Sequence, residues 1–270
     1  MIIIFSIVGL IVVVFLTGKL IQANQFNKEV KQLFFQSKTV HNKTFDYEML
    51  LDLPEPVQQY FRHVLKNGQP YISYVRLKHT GQFKINQDKV WTKIEGEHYF
   101  TTETPGFIWK GTTSMFTARD MYIADAGRLV VSLFSVYNIG DNKGEKFNQG
   151  ELLRWLGESV WFPTNLLPGK NLQWAPIDNS SAKLIFNHAG LTISYIVRFN
   201  GNGEITQLET KRYMGNENLE TWLGKLSDYK EMNGVVIPTT IEGIWKLPQA
   251  DYSYAKFIIK TIEYNKPKKF

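Results

Sequence analysis

Three hydrophobic patterns follow one another along the chain: an unbroken apolar run, two segments of helical periodicity, and a long series of alternating positions. The unbroken run comes first, since residues 2–16 are almost entirely Ile, Val, Leu and Phe, and residues 1–18 carry no charged side chain. Lys19 can extend its ammonium group toward water, so the apolar stretch reaches Ile21. About 20 helical residues cross roughly 30 Å of hydrocarbon. The run therefore predicts a transmembrane signal anchor over residues 1–21.

Two properties of this anchor stay open in the sequence. Ile21-Gln22-Ala23 is acceptable as a cleavage site, so a removed signal peptide is the alternative, although no Lys or Arg precedes the run. Five lysines lie between positions 19 and 43, which favours a cytoplasmic domain, yet long domains cross membranes regardless of such charges. We therefore expect a single-pass membrane protein, held in the bilayer through residues 2–21, whose side of the membrane is unresolved.

The first helical periodicity follows a polar segment, residues 22–45, that is expected to be a juxtamembrane linker or helix. Leu53-Pro54-Glu55-Pro56 places proline in a first helical turn, and Gly68 ends the pattern. The apolar residues between them recur on one helical face: Val57, Tyr60, Phe61, Val64 and Leu65. This spacing predicts a packing helix near residues 54–66.

The second helical segment is GELLRWLGESVWFPTNLLP, residues 150–168, which lies within a region that otherwise alternates. Its apolar face consists of Leu152, Leu153, Leu156 and Val160, and its charged stripe of Glu151, Arg154 and Glu158. An apolar helix among strands is typical of the filling of a curved sheet. We expect a helix near residues 150–160 in that place.

Alternating positions dominate the chain from Tyr71 onward. Val75, Leu77 and His79 point to one side of a first strand, and a turn at residues 86–89 leads into a second. Further strands are predicted at Phe107 to Phe116, Asp120 to Ala124, Arg128 to Tyr137, Leu172 to Ile177, Ala182 to His188, Leu191 to Phe199, Glu204 to Met214, Val235 to Trp245 and Tyr252 to Tyr264. The connections are short, which implies antiparallel neighbours. The sequence thus predicts a mainly β (α+β) domain over residues 46–270, a curved antiparallel sheet or half-barrel of about eleven strands around an apolar helix.

Composition narrows the chemistry of this domain. The chain is 43% hydrophobic and 14% aromatic, enough for a large core. It has no cysteine, which excludes disulfides, thiolate metal sites and cysteine nucleophiles. The net charge of +6 is dispersed rather than gathered into a basic stripe, so no nucleic-acid partner is predicted. No P-loop, dinucleotide fingerprint, G-x-S-x-G elbow or HExxH motif occurs, and we predict neither a cofactor nor a metal.

Three segments together resemble a bacterial family of unknown function whose members often carry an N-terminal membrane segment. They are LPEPVQQYFRHVL (residues 53–65), GELLRWLGESVWFPTNLLP (150–168) and GVVIPTTIEGIWKLP (234–248). The resemblance implies no activity and no catalytic residues. In architecture, strands curved about an apolar helix also look like the half-barrel of the outer-membrane lipoprotein carrier and its receptor, which hold acyl chains. That likeness concerns the fold alone.

Glu151 and Arg154 are the first candidates for a binding site, because they lie on the central helix among tryptophans. A buried ion pair there could hold a polar head group beside an apolar cavity. The alternative is structural: Asn148 as N-cap with Glu151 three residues later matches a capping box, and Glu151 with Arg154 matches a surface pair.

His79 and His98 form a second candidate site. If Ile85 opposes Val90 across the turn, Leu77 opposes His98 and His79 opposes Gly96, which leaves the two imidazoles diagonal on the apolar face. Such a pair could relay protons or contribute to a metal site, but only two ligands are visible, so hydrogen-bonded core histidines are the simpler interpretation.

Aromatic residues complete the candidate ligand-binding set. Trp109, Trp155 and Trp161 are the tryptophans that we add to it, since Trp suits both cores and ligand cavities. Other charged residues near strands could line a pocket mouth or form ordinary cross-strand pairs: Arg119, Asp120, Asp178, Arg198, Glu209 and Arg212.

The leading hypothesis from the sequence is a membrane-anchored binding protein for a lipid or other apolar ligand. One alternative is a membrane-associated hydrolase with a cleft near Glu151 and Arg154 or near His79 and His98. Another is a structural or protein-interaction module of the cell envelope. An apolar cavity of about 300 Å³ or more would favour the first, and a large exposed apolar patch would favour the last.

Overall fold

One antiparallel sheet dominates the fold. The computed structural model describes residues 2–37, 42–215 and 218–270, and within them thirteen strands form a single sheet. The helices are α1 (Ile2–Gln36), α2 (Glu55–Val64) and α3 (Glu145–Glu158), with 3-10 turns at Tyr47–Leu50, Ser159–Trp161 and Pro163–Leu166. The strands are β1 (Tyr74–Phe83), β2 (Thr92–Thr101), β3 (Gly106–Thr112), β4 (Phe116–Ile123), β5 (Ala126–Leu133), β6 (Tyr137–Lys143), β7 (Leu172–Asp178), β8 (Ser181–His188), β9 (Leu191–Phe199), β10 (Ile205–Met214), β11 (Asn218–Met232), β12 (Val235–Lys246) and β13 (Asp251–Tyr264).

The sheet is a meander that is interrupted once. Its strand order is β6-β5-β4-β3-β2-β1-β13-β12-β11-β10-β9-β8-β7, so the chain moves from the middle to one edge at β6 and resumes at the opposite edge with β7. The connection between the two edges is α3, which contacts β3 to β6 on one half and β9 and β10 on the other. A helix that contacts both halves lies inside the curve of the sheet, as the apolar face of the second helical segment predicts.

The inside of the curved sheet is filled by α2, α3 and the 3-10 turns that follow α3. Tyr60, Trp155 and Trp161 are at most 1% exposed. Gly157 permits the close approach of α3 to β9, because a Cβ at this position would lie 2.9 Å from Tyr195 Oη. The Tyr195 hydroxyl in turn donates to the Leu153 carbonyl at 2.9 Å. This packing forms the main core of the described residues.

The outer face of the sheet is covered by the second half of α1. Its apolar side chains pack in a second cluster with residues of β1 to β4: Phe26, Val30, Leu33 and Phe34 against Tyr74, Tyr99, Ile108, Met121 and Ile123. Within this contact Arg119 Nη1 donates to both carboxylate oxygens of Glu29, at 2.7 and 2.6 Å, and both residues are buried. Charge pairing and apolar packing together fix this part of α1 to the domain.

The first half of α1 is a direct continuation of the docked half. Residues 5–36 form a helix that is long and apolar enough to cross a membrane, and the most apolar 18-residue window has a mean hydropathy of 2.1 with none of it buried. Helical structure thus extends through residues 22–36, and Phe45 already belongs to the domain core.

The fold class is confirmed, but the sequence pattern misses two strands. The sheet has thirteen described strands rather than about eleven, because neither β6 nor β11 is predicted. Strand β6 (YNIGDNK) is almost wholly exposed and has the composition of a turn, so it shows no alternation. Strand β11 carries charges on both sides of its buried centre, which hides its period of two.

Several predicted boundaries are also wrong. The strand predicted at Asp120 to Ala124 begins at Phe116. The strand predicted at Arg128 to Tyr137 ends at Leu133, because Phe134 and Ser135 have φ angles of 51° and 58° and reverse the chain. The strand predicted at Phe107 to Phe116 ends at Thr112, where a turn held by the Thr113 side chain begins. Helix α3 begins at Glu145 rather than near residue 150.

Candidate functional site

The concave side of the sheet holds a cavity of about 720 Å³ beside α3. Its volume lies in the range of small-molecule sites. Both halves of the sheet contribute to its mostly apolar walls, which include Phe83, Ile94, Phe116, Ala118, Leu129, Val131, Ile139 and Ile241. The cavity also exceeds the size that the sequence-based hypothesis of an apolar ligand requires.

Aromatic rings form one wall of the cavity. Trp222, Trp245, Tyr254 and Phe257 all line it. The indole of Trp222 donates to the Tyr254 hydroxyl at 3.1 Å, and the Tyr254 ring stacks on Trp245 with centroids 6.2 Å apart. Because these polar atoms pair with one another, the wall presents mainly apolar ring surface.

Five charged residues lie together at the α3 side of the cavity: Asp120, Glu151, Arg154, Glu158 and Arg212, here called the charged cluster. The Arg154 guanidinium joins two carboxylates, since Nε donates to Glu158 at 3.0 Å and Nη1 donates to Asp120. Arg212 Nη2 donates to Glu151 at 3.2 Å. Arg154 also lies over the rings of Phe107 and Trp109, 5.0 Å from each centroid.

Local structure explains how the cluster assembles. Glu151, Arg154 and Glu158 are spaced three and four residues apart on α3 and share one helical face. Asp120 reaches them from β4, where it is paired with Trp109 of β3. Arg212 reaches them from β10 past Gly150, at which a Cβ would lie 3.2 Å from Arg212 Nε. The glycine therefore leaves room for the guanidinium.

The charges of the cluster balance only when one carboxyl group is protonated. Burial raises the pKa of Glu151 to about 8, and the negative charge of Asp120 adds to the rise against the two arginines. Glu151 Oε2 and Asp120 Oδ1 are both buried and accept no hydrogen bond as carboxylates. A proton on Glu151 lets it donate to Asp120, which satisfies both oxygens. Two guanidinium groups then face two carboxylates at neutral pH.

The raised pKa of Glu151 predicts a contribution to stability that falls as the pH rises. Between about pH 4.5 and 8 the folded protein holds a proton on Glu151 that the unfolded chain has released, so the contribution of Glu151 to the free energy of unfolding falls as the pH rises. The buried His79 and His98 have lowered pKa values and act in the opposite direction below about pH 6.5. The slope for one such group is at most about 1.4 kcal/mol per pH unit. We expect Glu151→Gln to remove this contribution, so that its slope of unfolding free energy against pH in denaturant titrations is less negative than that of the wild type, because the amide donates to Asp120 at every pH.

Glu145→Gln is the matched control for this prediction. Glu145 lies in the first turn of the same helix and is exposed. This variant should keep the wild-type pH profile. Equal slopes for wild type and Glu151→Gln between pH 5 and 8 would show that Glu151 does not hold the proton.

The two histidines lie behind the cavity wall. The Trp109 indole donates to His79 Nε2 at 2.8 Å, and the Phe257 ring lies 4.2 Å from the His79 ring. His98 Nε2 lies 3.5 Å from Glu158 Oε2. A Cβ at Gly96 would overlap the His79 imidazole, so glycine opposite His79 is a requirement of this packing.

Both imidazoles are neutral at physiological pH. Burial lowers the pKa of His79 to about 4, and the positive charge of Arg154 contributes to the shift. Burial likewise places the pKa of His98 well below its usual range, again with a contribution from Arg154. Among the described residues no group of three His, Cys, Asp or Glu side chains could hold a metal ion. Both residues are buried core histidines, and His79 accepts a hydrogen bond from the Trp109 indole.

Three of the seven sequence-predicted site residues line the cavity: Trp109, Glu151 and Arg154. His79 and His98 stand behind them with the predicted register, Leu77 opposite His98 and His79 opposite Gly96. Trp155 and Trp161 pack in the core, where their indoles donate to the carbonyls of Thr101 at 2.9 Å and Pro238 at 3.2 Å.

The structural alternative for Glu151 and Arg154 is wrong. Asn148 lies inside α3, whose N-cap is Gly144, and its side chain accepts from the Gly127 amide at 2.8 Å. Glu151 is 3% exposed and pairs with Arg212 instead of Arg154. The capping box fails because the helix begins before it.

The sequence predicts only some of the residues that line the cavity. Asp120 and Arg212 are among the residues predicted for a pocket mouth, whereas Arg119 binds Glu29 on the outer face. Asp178, Arg198 and Glu209 are not among the lining residues. The sequence indicates Glu158 only as a member of the charged stripe on the second helical segment. The aromatic wall carries one signal in the sequence, Trp245 at the end of a predicted strand, whereas Trp222 lies in β11, which the sequence pattern misses.

Comparisons with known proteins identify the family of this chain. A search of curated proteins gives no match. The fold is similar to the crystal structure of a LolA superfamily protein from Nitrosomonas europaea, with a TM-score of 0.43 and 10% sequence identity over 78% of this chain and 92% of that one. A likeness this distant says nothing about a ligand. Residues 43–257 match the model of DUF6544, a family of unknown function, and the chain belongs to that family.

Proposed function

We propose that this protein is a membrane-anchored binding protein for an amphipathic, lipid-like molecule. The observation that carries the proposal is the cavity of about 720 Å³, whose walls are mostly apolar and whose α3 side holds the charged cluster. Polar groups confined to one side of an apolar cavity suit a ligand with an apolar chain and one polar end. The apolar helix at the N-terminus supports a location beside a source of such molecules.

Apolar contact would supply most of the binding energy. Each methylene group that leaves water for the cavity contributes about 0.8 kcal/mol. The aromatic wall contributes flat surfaces, and the aliphatic side chains of β4 to β6 and β12 complete the enclosure. A chain of several methylene groups therefore gains enough free energy to offset the ordering that binding requires.

The charged cluster would select the polar end of the ligand. Arg154 and Arg212 both line the cavity, and 13% and 15% of their side-chain surface is exposed. Arg154 is paired with two carboxylates, Arg212 donates to the protonated Glu151 carboxyl group, and the cluster as a whole is neutral. The cluster therefore offers guanidinium N–H donors without an uncompensated buried charge. These donors fit a carboxyl, phosphoryl or other oxygen-rich group.

Native mass spectrometry tests this function on the full chain released from its own membranes. We expect a population that carries one additional mass of an amphipathic molecule and keeps it as the detergent is stripped. Fragmentation of the adduct would give its class. A folded, monodisperse chain with no adduct beyond scattered membrane lipid would count against the proposal.

One observation favours the hydrolase alternative, namely the protonated Glu151 carboxyl beside the cavity. A carboxylic acid with a pKa near 8 can donate a proton at neutral pH. In this site, however, the geometry gives that proton to Asp120, and the other carboxylates are engaged by Arg154. Binding is therefore the function that the arrangement supports best.

A further inference from the structure

The end of the sheet at which the β5–β6 turn joins its strands is unusually apolar for an exposed surface. Four large side chains there, here called the apolar rim, are about half or more exposed: Met115 (49%), Phe134 (46%), Tyr137 (71%) and Ile139 (52%). In an antiparallel meander the β1–β2, β3–β4 and β5–β6 turns lie at the same end of the strands. The β1–β2 turn adds Ile85, which is 60% exposed. Apolar groups that are concentrated at one end of the sheet indicate an interaction surface.

The membrane-length helix passes directly beside this rim. A Cβ at Gly18 would lie 2.6 Å from Val136 of the β5–β6 turn, and Gln22 Nε2 donates to Asn138 Oδ1 at 2.9 Å. After Gln22, α1 is docked on the outer face of the sheet, and Leu33 reaches Gly106 at the opposite end of the strands. The exposed apolar half of α1 therefore projects past the rim and away from the rest of the domain.

The cavity extends to the same end of the sheet. Its walls include four residues that lie in or near the three turns at that end: Ile85, Phe116, Val131 and Ile139. Ile139 is both part of the rim and part of the wall. The apolar lining of the cavity is thus continuous with the apolar rim.

We infer that the apolar rim rests in the surface of the bilayer that α1 crosses, so that the cavity opens toward that membrane. The Glu29–Arg119 pair and the packing of Phe26, Val30 and Leu33 hold the domain at a fixed angle to α1. With that angle fixed, the bilayer around α1 is the partner that covers the rim. The ligand would then be a lipid of the adjoining leaflet that enters without crossing water. This inference rests on the membrane anchoring proposed above, and not on the identity of the ligand.

Site-specific fluorescence on the full chain in vesicles tests the inference. The chain has no cysteine, so Tyr137→Cys and Glu103→Cys each give a single labelling site for an environment-sensitive dye. Position 137 lies on the rim, and position 103 lies in the β2–β3 turn at the opposite end of the strands. In phosphatidylcholine vesicles that contain lipids brominated on the acyl chains, we expect the dye at position 137 to shift to the blue and lose intensity, and the dye at position 103 to do neither.

The outcomes separate the inference from the proposed function. Vesicle flotation is measured on the same samples. If the chain floats and the dye at position 137 is quenched no more than the dye at position 103, the rim does not rest in the bilayer, although the anchor stands. If the chain fails to float, the anchoring itself is wrong, and the inference falls with it. Flotation with quenching confined to position 137 supports the inference.

Discussion

Replacement of Arg154 by Met should cost about 3–5 kcal/mol of the free energy of unfolding at neutral pH. Arg154 pairs with both Asp120 and Glu158, and all three residues are largely buried. Without the guanidinium the two carboxylates remain in the interior with no positive partner near them except Arg212. Because burial raises the pKa of Glu158 and protonation removes its unpaired charge, the loss should shrink as the pH falls. Equilibrium unfolding in urea at several pH values measures it.

Arg128→Met is the control for this prediction. Arg128 donates twice to Asp141, at 2.7 Å in both bonds, but each side chain is 42% exposed. An exposed pair of this kind is worth less than about 1 kcal/mol. Arg154→Lys, which can reach one carboxylate, should fall between wild type and Arg154→Met. Equal losses for Arg154→Met and Arg128→Met would contradict the account of the charged cluster.

Replacement of Ala118 by Trp should remove the bound ligand while the domain stays folded. Ala118 lies on β4 between Gly111 and Val131, and its side chain lines the cavity. An indole at this position occupies space that the ligand would need, and the empty volume lets it enter without displacing core residues. We expect occupancy in native mass spectra to fall at least about tenfold, which corresponds to about 1.4 kcal/mol of binding free energy.

Ala175→Trp is the matched control for the cavity. Ala175 is a half-buried residue of β7 that is not among the lining residues. This variant adds the same side chain and should keep the adduct. If Ala118→Trp retained wild-type occupancy with an unchanged far-ultraviolet spectrum, the ligand would have to lie elsewhere.

Strand alternation predicts much of this fold because it is a local property. The β1–β2 register follows from one turn and a period of two, and it places His79 opposite Gly96 as found. The start of α2 follows from the prolines at positions 54 and 56. The apolar face of the second helical segment indicates that it fills a curved sheet. Each of these inferences needs only neighbouring residues.

Elements without a local signal escape prediction. Phe134 and Ser135 adopt positive φ angles that Gly or Asn would announce, so the turn between β5 and β6 is invisible in the sequence. Strand β6 is kept in the sheet by hydrogen bonds to β5 rather than by an apolar face. Tertiary contacts decide both cases.

The charged cluster shows why the site is predictable only in part. The helical stripe reveals that Glu151, Arg154 and Glu158 share a face, but local spacing favours a surface pair or a cap. The true partners are Asp120, 34 residues before Arg154, and Arg212, 61 residues after Glu151. Only the closure of the sheet around α3 brings them together. Sequence separation of that size carries no pairing signal in one chain.

Photo-crosslinking from within the cavity tests the central claim most directly, namely that the cavity binds an amphipathic molecule in the membrane. A benzophenone amino acid replaces Phe257, which lines the cavity, or its neighbour Lys256, which is exposed on the opposite face of β13. After illumination of the full chain in its native membranes, intact-mass spectrometry reports any covalent adduct. The account predicts one defined lipid-like adduct at position 257 and none of that mass at position 256. Adducts of the same kind and yield at both positions, or none at position 257, would contradict it.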